Sequence, residues 1–189
     1  SSFTEGASVF GGGSNLKTAI KNIFDIYDPE IIAVHTTCLS ETIGDDLNGY
    51  IQDAKVPEGK LVIHTNTPSY VGSHITGYYN MIAGFIKYLS IATGEKNGKL
   101  ALFPGFVNPG DMREMKRLMK LMGTEFIMLP DTSGVLDAPM TGTYTMYPKG
   151  GTTIPDIRDL GNCEMTLGLG ELTSEFPADF LEKKCKVPY

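Results

Sequence analysis

Short apolar runs that alternate with amphipathic segments constrain this chain more than any other feature of its sequence. The first run, residues 31–34, has no polar–apolar alternation, which is typical of a strand buried on both faces of a parallel sheet. Before it, residues 16–27 carry apolar side chains at helical spacing, with Ser14 or Asn15 as the expected capping residue. A helix is therefore followed directly by a buried strand.

The same unit recurs along the chain. Further strands are predicted at 61–63, 100–103, 126–129 and 165–167, and further helices at 43–54, 79–91, 111–122, 154–160 and in a last segment ending near Lys184. Strands that alternate with helices form parallel sheets through right-handed crossovers, which place helices on both faces. The expected class is therefore α/β, with Rossmann-like parallel sheets.

A polar connector, residues 93–99, interrupts this pattern near the middle of the chain. It predicts parts of two domains, residues 1–95 and residues 96–189. The chain begins with Ser1 rather than Met, and the composition after the last helix is not that of a tail. We expect it to be incomplete at one or both ends.

The loops that leave the strands are the expected place for a ligand, because ligands of such sheets lie outside the carboxyl ends of the strands. Cys38 follows the first strand, and Ser69 follows the second. If these strands are neighbours, both side chains lie on one edge and could face one ligand. Each has an ordinary alternative, since free cysteines are commonly buried and serines in Pro- and Gly-rich loops commonly form turns.

Three other local patterns attract attention. Asp45 and Asp46 could bind a cation or meet a basic partner, or simply complement the dipole of a helix's first turn. The glycines at 11–13 precede a helix but match neither phosphate-binding pattern, so they predict a tight turn. Four methionines share a helical face and predict core packing: they are Met112, Met115, Met119 and Met122.

Composition excludes several classes of function. The formal charge of −6 and the absence of any Lys and Arg run argue against nucleic acid and membrane surfaces as partners. No apolar run spans a bilayer and no signal peptide is evident, so the expected location is the cytoplasm. Hydrolytic patterns such as H-E-x-x-H and G-x-S-x-G are missing. Three cysteines form no C-x-x-C pair, so a bound metal would need ligands from elsewhere.

Two stretches are specific when they are considered together, residues 33–46 and residues 67–74. They resemble the β subunits of nitrogenase molybdenum–iron proteins, which belong to the nitrogenase component 1 family. The similarity extends through residues 8–13, 103–106 and 147–153, and so covers essentially the whole chain.

The resemblance implies the function of an electron relay within an oxidoreductase. In that family the β and α subunits form an α2β2 heterotetramer and share an all-iron [8Fe-7S] P-cluster at their interface. Electrons arrive from a separate, ATP-hydrolysing iron protein and pass through this cluster to the iron–molybdenum cofactor. That cofactor is held by the α subunit only and reduces dinitrogen to ammonia. The chain by itself is expected to be inactive.

The resemblance also implies roles for particular residues. Cys38 matches a thiolate ligand of the P-cluster, and Ser69 matches the serine whose oxygen binds iron when the cluster is oxidised. Ile43, Asp45 and Asp46 match the region where the iron protein docks. No catalytic residue is expected in this chain.

The family pattern is incomplete here. The family's further cluster cysteines lie upstream of the region that matches Ser1, and a third domain lies downstream of this chain. Cys163 and Cys185 match no ligand and are expected to be structural.

Three alternatives remain open. The chain could belong to a related scaffold for cofactor biosynthesis, or to a vanadium or iron-only nitrogenase. The upstream cysteine pattern would distinguish the first, and metal analysis of the α subunit's cofactor would distinguish the second. A non-redox Rossmann-like domain that binds a small molecule is the alternative from another class, and tight nucleotide or sugar binding would support it.

Overall fold

A computed structural model describes residues 4–189 of the chain. Within them the polypeptide forms two compact units, the first ending at Gly77 and the second comprising Tyr78–Tyr189. The helices are α1 (Glu5–Phe10), α2 (Gly13–Tyr27), α3 (Cys38–Ile43), α4 (Leu47–Gln52), α5 (His74–Leu89), α6 (Pro109–Leu121), α7 (Ile154–Asp159) and α8 (Glu171–Cys185), with a 3-10 turn at Leu160–Asn162. The strands are β1 (Ile31–His35), β2 (Leu61–Thr65), β3 (Leu100–Phe103), β4 (Phe126–Met128) and β5 (Met165–Gly168).

The first unit contains a parallel pair of strands. β1 runs beside β2, with Ile31 opposite Leu61 and His35 opposite Thr65. Ile20 of α2 is buried with Ile32 of β1 in one apolar cluster. The two strands that precede the Cys38 and Ser69 loops are therefore direct neighbours, as the shared-edge hypothesis requires.

The second unit contains three parallel strands in the order β4-β3-β5. Met112 and Met119 of α6 are buried with Leu102 of β3, and Met115 lies against the same cluster. Met122 is 65% exposed just beyond the end of α6. The predicted methionine stripe thus packs in the core except at its last residue.

Both units consist of parallel strands flanked by helices, which confirms the predicted α/β class. The units divide within the first turn of α5. The predicted domains 1–95 and 96–189 remain a prediction, because compactness alone does not identify the pieces that fold as domains. No helix within residues 4–189 is long and apolar enough to cross a membrane.

The helix predicted over residues 43–54 is wrong in its bounds. In that range α4 covers only Leu47–Gln52, whereas Ile43 is the last residue of α3, because Gly44 adopts left-handed backbone with φ 77° and ends α3. Asp46 then begins α4 as its N-cap. The capping prediction for α2 is also wrong, since the N-cap is Gly12 and Ser14 lies inside the helix.

The histidines near the ends of β1 and β2, His35 and His64, are not in equivalent register. His64 lies opposite Val34, whereas His35 lies opposite Thr65. The Nε2 atom of His64 lies 2.7 Å from Oδ1 of Asn48. His64 therefore contacts α4.

Candidate functional site

Two threonines join the loops that leave β1 and β2. The amide of Thr67 donates to Oγ1 of Thr36 at 2.7 Å, and the hydroxyl of Thr67 donates to the carbonyl of Thr36 at 2.9 Å. Thr36 itself is buried, and its amide donates to the carbonyl of Thr65 at 3.4 Å. We call this reciprocal pair, Thr36 and Thr67, the threonine bracket. The bracket continues the pairing of β1 and β2 beyond the last paired residues of these two strands.

Cys38 and Ser69 each lie two residues beyond the bracket. Cys38 is the first residue of α3 and is an exposed free thiol. Ser69 is exposed in a turn closed by a 3.2 Å hydrogen bond from the amide of Val71 to the carbonyl of Pro68. Both side chains thus occupy the same carboxyl edge. The buried alternative for Cys38 is wrong, whereas ligation itself remains a prediction.

The other two cysteines lie in different surroundings. Cys163 and Cys185 are buried. Burial raises the pKa of the Cys163 thiol to about 11 and also raises the pKa of Cys185. Because metals bind the thiolate, a thiol pKa raised above its ordinary value disfavours metal binding. These two residues fit the structural roles expected of them.

The donor set at the edge of the first sheet is partial. Within residues 4–189, no group of three or more His, Cys, Asp and Glu side chains could hold a metal ion. A thiol and a hydroxyl on one exposed edge match the chemistry of iron–sulfur ligation, in which thiolates are the main ligands. The residues therefore fit a cluster that is shared with other ligands, and they do not fit a self-contained metal site.

Asp45 fastens the helix that carries Cys38. Its carboxylate accepts from the amide of Gly12 at 2.9 Å and from the hydroxyl of Ser40 in α3 at 2.8 Å. Gly12 is the N-cap of α2 and has no side chain with which to cap it, and Asp45 places a negative charge on the amide of Gly12 at the positive end of that helix. We call this contact the Asp45 clasp. Sequence reasoning missed it because its partners are 33 residues apart.

The glycine run makes room for this clasp. A Cβ atom on Gly13 would lie 2.6 Å from the ring of Tyr50, and one on Gly11 would lie 2.9 Å from the Tyr50 hydroxyl. That hydroxyl lies 3.4 Å from Oδ1 of Asp45 as its donor. Partial burial and the negative charge of Asp45 raise the pKa of Tyr50, which keeps the phenol protonated. The predicted tight turn, between α1 and α2, is confirmed and serves close packing.

The remaining predicted docking residues differ from Asp45. Asp46 is exposed and caps α4, with Oδ1 accepting from the amide of Gly49 at 3.1 Å. Ile43 is half-buried at the end of α3. Both lie on the segment that begins with Cys38. Asp46 thus acts as an N-cap and does not lie in the first turn of a helix, as the dipole interpretation supposed, and the role of these residues in docking remains a prediction.

Comparison with known proteins places the chain in a family. The model of the family described as nitrogenase component 1 type oxidoreductase matches residues 1–189. The chain belongs to this family. Its edge with Cys38 and Ser69 is therefore an edge of a nitrogenase component 1 type oxidoreductase fold.

Curated relatives in this family share much of the sequence. A nitrogenase molybdenum–iron protein beta chain from Clostridium pasteurianum is 66% identical over 193 residues, covering 100% of this chain and 42% of the relative. One from Methanococcus maripaludis is 40% identical over 201 residues, covering 99% of this chain and 43% of the relative. The chain thus spans less than half the length of these relatives.

Solved structures give the same picture. A chain of nitrogenase Cp1 at pH 6.5 superposes with a TM-score of 0.96 at 65% identity, covering 98% of this chain and 42% of that one. A chain of nitrogenase Cp1 at pH 5 superposes with a TM-score of 0.70 at 20% identity, over 95% of this chain and 33% of that one. The second likeness shows the Rossmann-like α/β fold alone.

Proposed function

We propose that this chain is part of the β subunit of a nitrogenase molybdenum–iron protein, and that Cys38 and Ser69 form one side of its P-cluster site. The observation that carries the proposal is the threonine bracket, which brings the Cys38 and Ser69 loops to one exposed edge. The names of the relatives support the molybdenum–iron class.

The chemistry of the two donors suits this role. A thiolate from Cys38 is the soft ligand that iron–sulfur iron prefers, and an oxygen from Ser69 is a harder donor that suits more oxidised iron. Backbone amides of the two loops and exclusion of water would tune the site. When bound, the [8Fe-7S] cluster supplies reversible electron transfer.

The proposal places the chain within a larger assembly. The β subunit pairs with the α subunit in an α2β2 heterotetramer. The remaining ligands of the shared cluster come from the α subunit and from segments of the β subunit outside this chain. Electrons come from the ATP-hydrolysing iron protein and continue to the iron–molybdenum cofactor in the α subunit, where dinitrogen becomes ammonia.

The decisive test replaces Cys38 by Ala in the complete heterotetramer. We expect loss or distortion of the P-cluster, measured as lower iron content and a changed electron paramagnetic resonance spectrum, together with loss of dinitrogen reduction. Cys185→Ala is the matched control, because it also removes a thiol but one that is buried in the second unit, and it should keep the iron content. Unchanged iron, spectrum and turnover in the Cys38 variant would sink the proposal.

Metal analysis of the same preparation separates the close alternatives. Molybdenum in the α subunit's cofactor is expected, whereas vanadium or iron alone would identify the corresponding nitrogenase. A complex that holds a cofactor precursor but does not turn over dinitrogen would instead be the biosynthetic scaffold.

We further propose that Ile43, Asp45 and Asp46 lie where the iron protein docks. Asp46→Asn is the cleanest test, because Asn caps helices as well as Asp but carries no charge. We expect the affinity for the iron protein to fall roughly a few-fold at low salt, with a weaker dependence on ionic strength. Asp25→Asn, which removes an exposed charge on α2, is the control. Equal affinity and salt dependence for the Asp46 variant and wild type would remove this role.

Asp45→Lys is expected to weaken docking more, in a salt-dependent manner, but it also breaks the Asp45 clasp. Ser40→Ala loosens the clasp without changing charge. If Ser40→Ala weakens docking as much as Asp45→Lys does, the charge of Asp45 is not what the iron protein recognises.

A further inference from the structure

We propose that Thr36 and Thr67 are positioning residues that fix Ser69 relative to Cys38, an inference that rests on the function proposed above. The two threonines touch no iron. They act through the bracket, which determines where the Ser69 loop leaves the sheet.

The bracket is the last fixed point before both donors. Its hydrogen bonds are short, at 2.7 Å and 2.9 Å, and they use the hydroxyls of both threonines. An extended chain advances at most about 3.6 Å per residue, so each donor lies within about 7 Å of chain from its own threonine. A displacement of the bracket should therefore also displace Cys38 or Ser69, because few residues lie between.

The two sides of the edge are held unequally. On the Cys38 side, α3 is also fastened by the Asp45 clasp, and the hydroxyl of Thr42 donates to the carbonyl of Cys38 at 2.8 Å. Loss of the bracket leaves these contacts in place. The thiol should therefore keep its position.

On the Ser69 side, the next side-chain hydrogen bonds along the chain belong to the start of α5. There the amide of Ile75 donates to the hydroxyl of Ser73, and the amide of Ser73 donates to the hydroxyl of Thr76, both at 3.2 Å. Ser69 lies between this point and Thr67, in a turn with exposed residues. Loss of the Thr67 hydroxyl should therefore move Ser69 more than Cys38.

This asymmetry gives the inference a specific signature. Under the proposed function Cys38 is a thiolate ligand of the cluster, whereas the oxygen of Ser69 is expected to bind only the oxidised state. A misplaced Ser69 should thus destabilise the oxidised state alone and raise the midpoint potential of that oxidation. Each tenfold loss of oxygen ligation corresponds to about 59 mV for a one-electron couple.

The test uses the complete heterotetramer with Thr67→Val and Thr67→Ser. Valine keeps the shape of threonine but removes the hydroxyl, and serine keeps the hydroxyl. We expect normal iron content in both variants, with a raised midpoint potential and an altered oxidised-state spectrum in the valine variant only. Thr18→Val, on the exposed surface of α2, is the control and should match wild type. Thr36→Ser should also match wild type, because it keeps the acceptor of the bracket.

The outcomes separate this inference from the proposed function. If Cys38→Ala removes the cluster while Thr67→Val keeps the wild-type potential and spectrum, the positioning role is overturned and the proposed function stands. Equal shifts in the valine and serine variants would also overturn it, because the methyl group and not the hydroxyl would then be responsible. If Cys38→Ala leaves the cluster intact, the proposed function itself fails.

Discussion

The two parallel sheets end in carboxyl edges of opposite character. At the edge of the first sheet, Cys38 and Ser69 are exposed beyond the threonine bracket. At the edge of the second sheet, the hydroxyl of Ser174 donates to the carbonyls of Phe103 and Leu169, at 3.2 Å and 2.7 Å. The same kind of edge can therefore be left open for a ligand or closed by the chain itself.

The closure of the second edge continues on both sides of β3. The hydroxyl of Tyr78 donates to the carbonyl of Gly105 at 2.8 Å, and burial raises the pKa of Tyr78 to about 12, so the phenol stays a donor. After β4, the carboxylate of Asp131 accepts from Lys116 at 2.7 Å and from the hydroxyl of Ser133 at 2.6 Å. These polar groups are already paired within the unit, so they stabilise the fold and are not available as ligands of a cluster.

The comparison predicts that substitutions at the closed edge destabilise the fold, and Gly105→Ala should do so most. Gly105 has φ 80°, and an added Cβ would lie 2.6 Å from the carbonyl oxygen of Leu169. We expect a loss of about 3 kcal/mol or more in the free energy of unfolding of the second unit, measured by urea denaturation.

Gly98→Ala isolates the part of that effect that comes from the left-handed backbone, without the steric part. Gly98 has φ 74° but no atoms within 4 Å of an added Cβ, so the expected loss is only about 1–2 kcal/mol. Equal losses for the two variants would show that the packing around Gly105 does not close the edge.

Asp131→Asn should have the next largest effect, and the effect should depend on pH. Burial alone would raise the pKa of Asp131, but hydrogen bonds from Lys116 and Ser133 outweigh it and hold the pKa below its ordinary value of 3.8. The folded state thus binds its proton at lower pH than the unfolded state does. The stabilisation is present above about pH 4 and is lost as the pH falls through the lower, folded pKa.

For this variant we expect a loss of about 1.5–3 kcal/mol at neutral pH, measured by urea denaturation, and a smaller loss below pH 3. Asp179→Asn, which removes a more exposed ion pair with Lys183, should cost less than about 1 kcal/mol. A loss for Asp131→Asn that does not change between pH 3 and pH 7 would contradict the charge-based account.

Cys38→Ala and Ser69→Ala should have the smallest effect on stability. Both side chains are exposed, so the free energy of unfolding should stay within about 0.5 kcal/mol of wild type in urea denaturation without a cluster. The functional consequence in the complete complex is expected to be large. A loss of several kcal/mol from either substitution would show that the open edge also stabilises the fold. The two edges would then not differ in their contribution to stability.

Most of the fold was predictable because its signals are local. All five strands lie where apolar runs are found, because short runs of apolar residues favour strands. The helix predicted over residues 43–54 began too early, because the apolar spacing continues across Gly44 and does not reveal that its left-handed backbone ends α3. α1 was not predicted either. It is six residues long and contains no buried residue, so it has no strong apolar pattern.

The candidate site was predictable only in part. Cys38 and Ser69 stand out by their places after strands, but their shared edge depended on the order of the strands. The bracket joins residues 31 positions apart, and the Asp45 clasp joins residues 33 positions apart. Such contacts leave no periodic signal in the sequence. Asp45 was therefore expected to face a partner, and its hydrogen bonds to Gly12 and Ser40 within its own unit were not foreseen.

By itself, the sequence determined which segments become strands and helices and which residues carry thiol, hydroxyl and carboxylate groups to the strand ends. Burial and helical spacing act over a few residues, which is why local patterns are enough. Only the tertiary structure decided which edge is open and which is closed. That choice depends on hydrogen bonds between distant segments, such as Thr36 with Thr67 and Ser174 with Phe103, and these form only after the strands are neighbours.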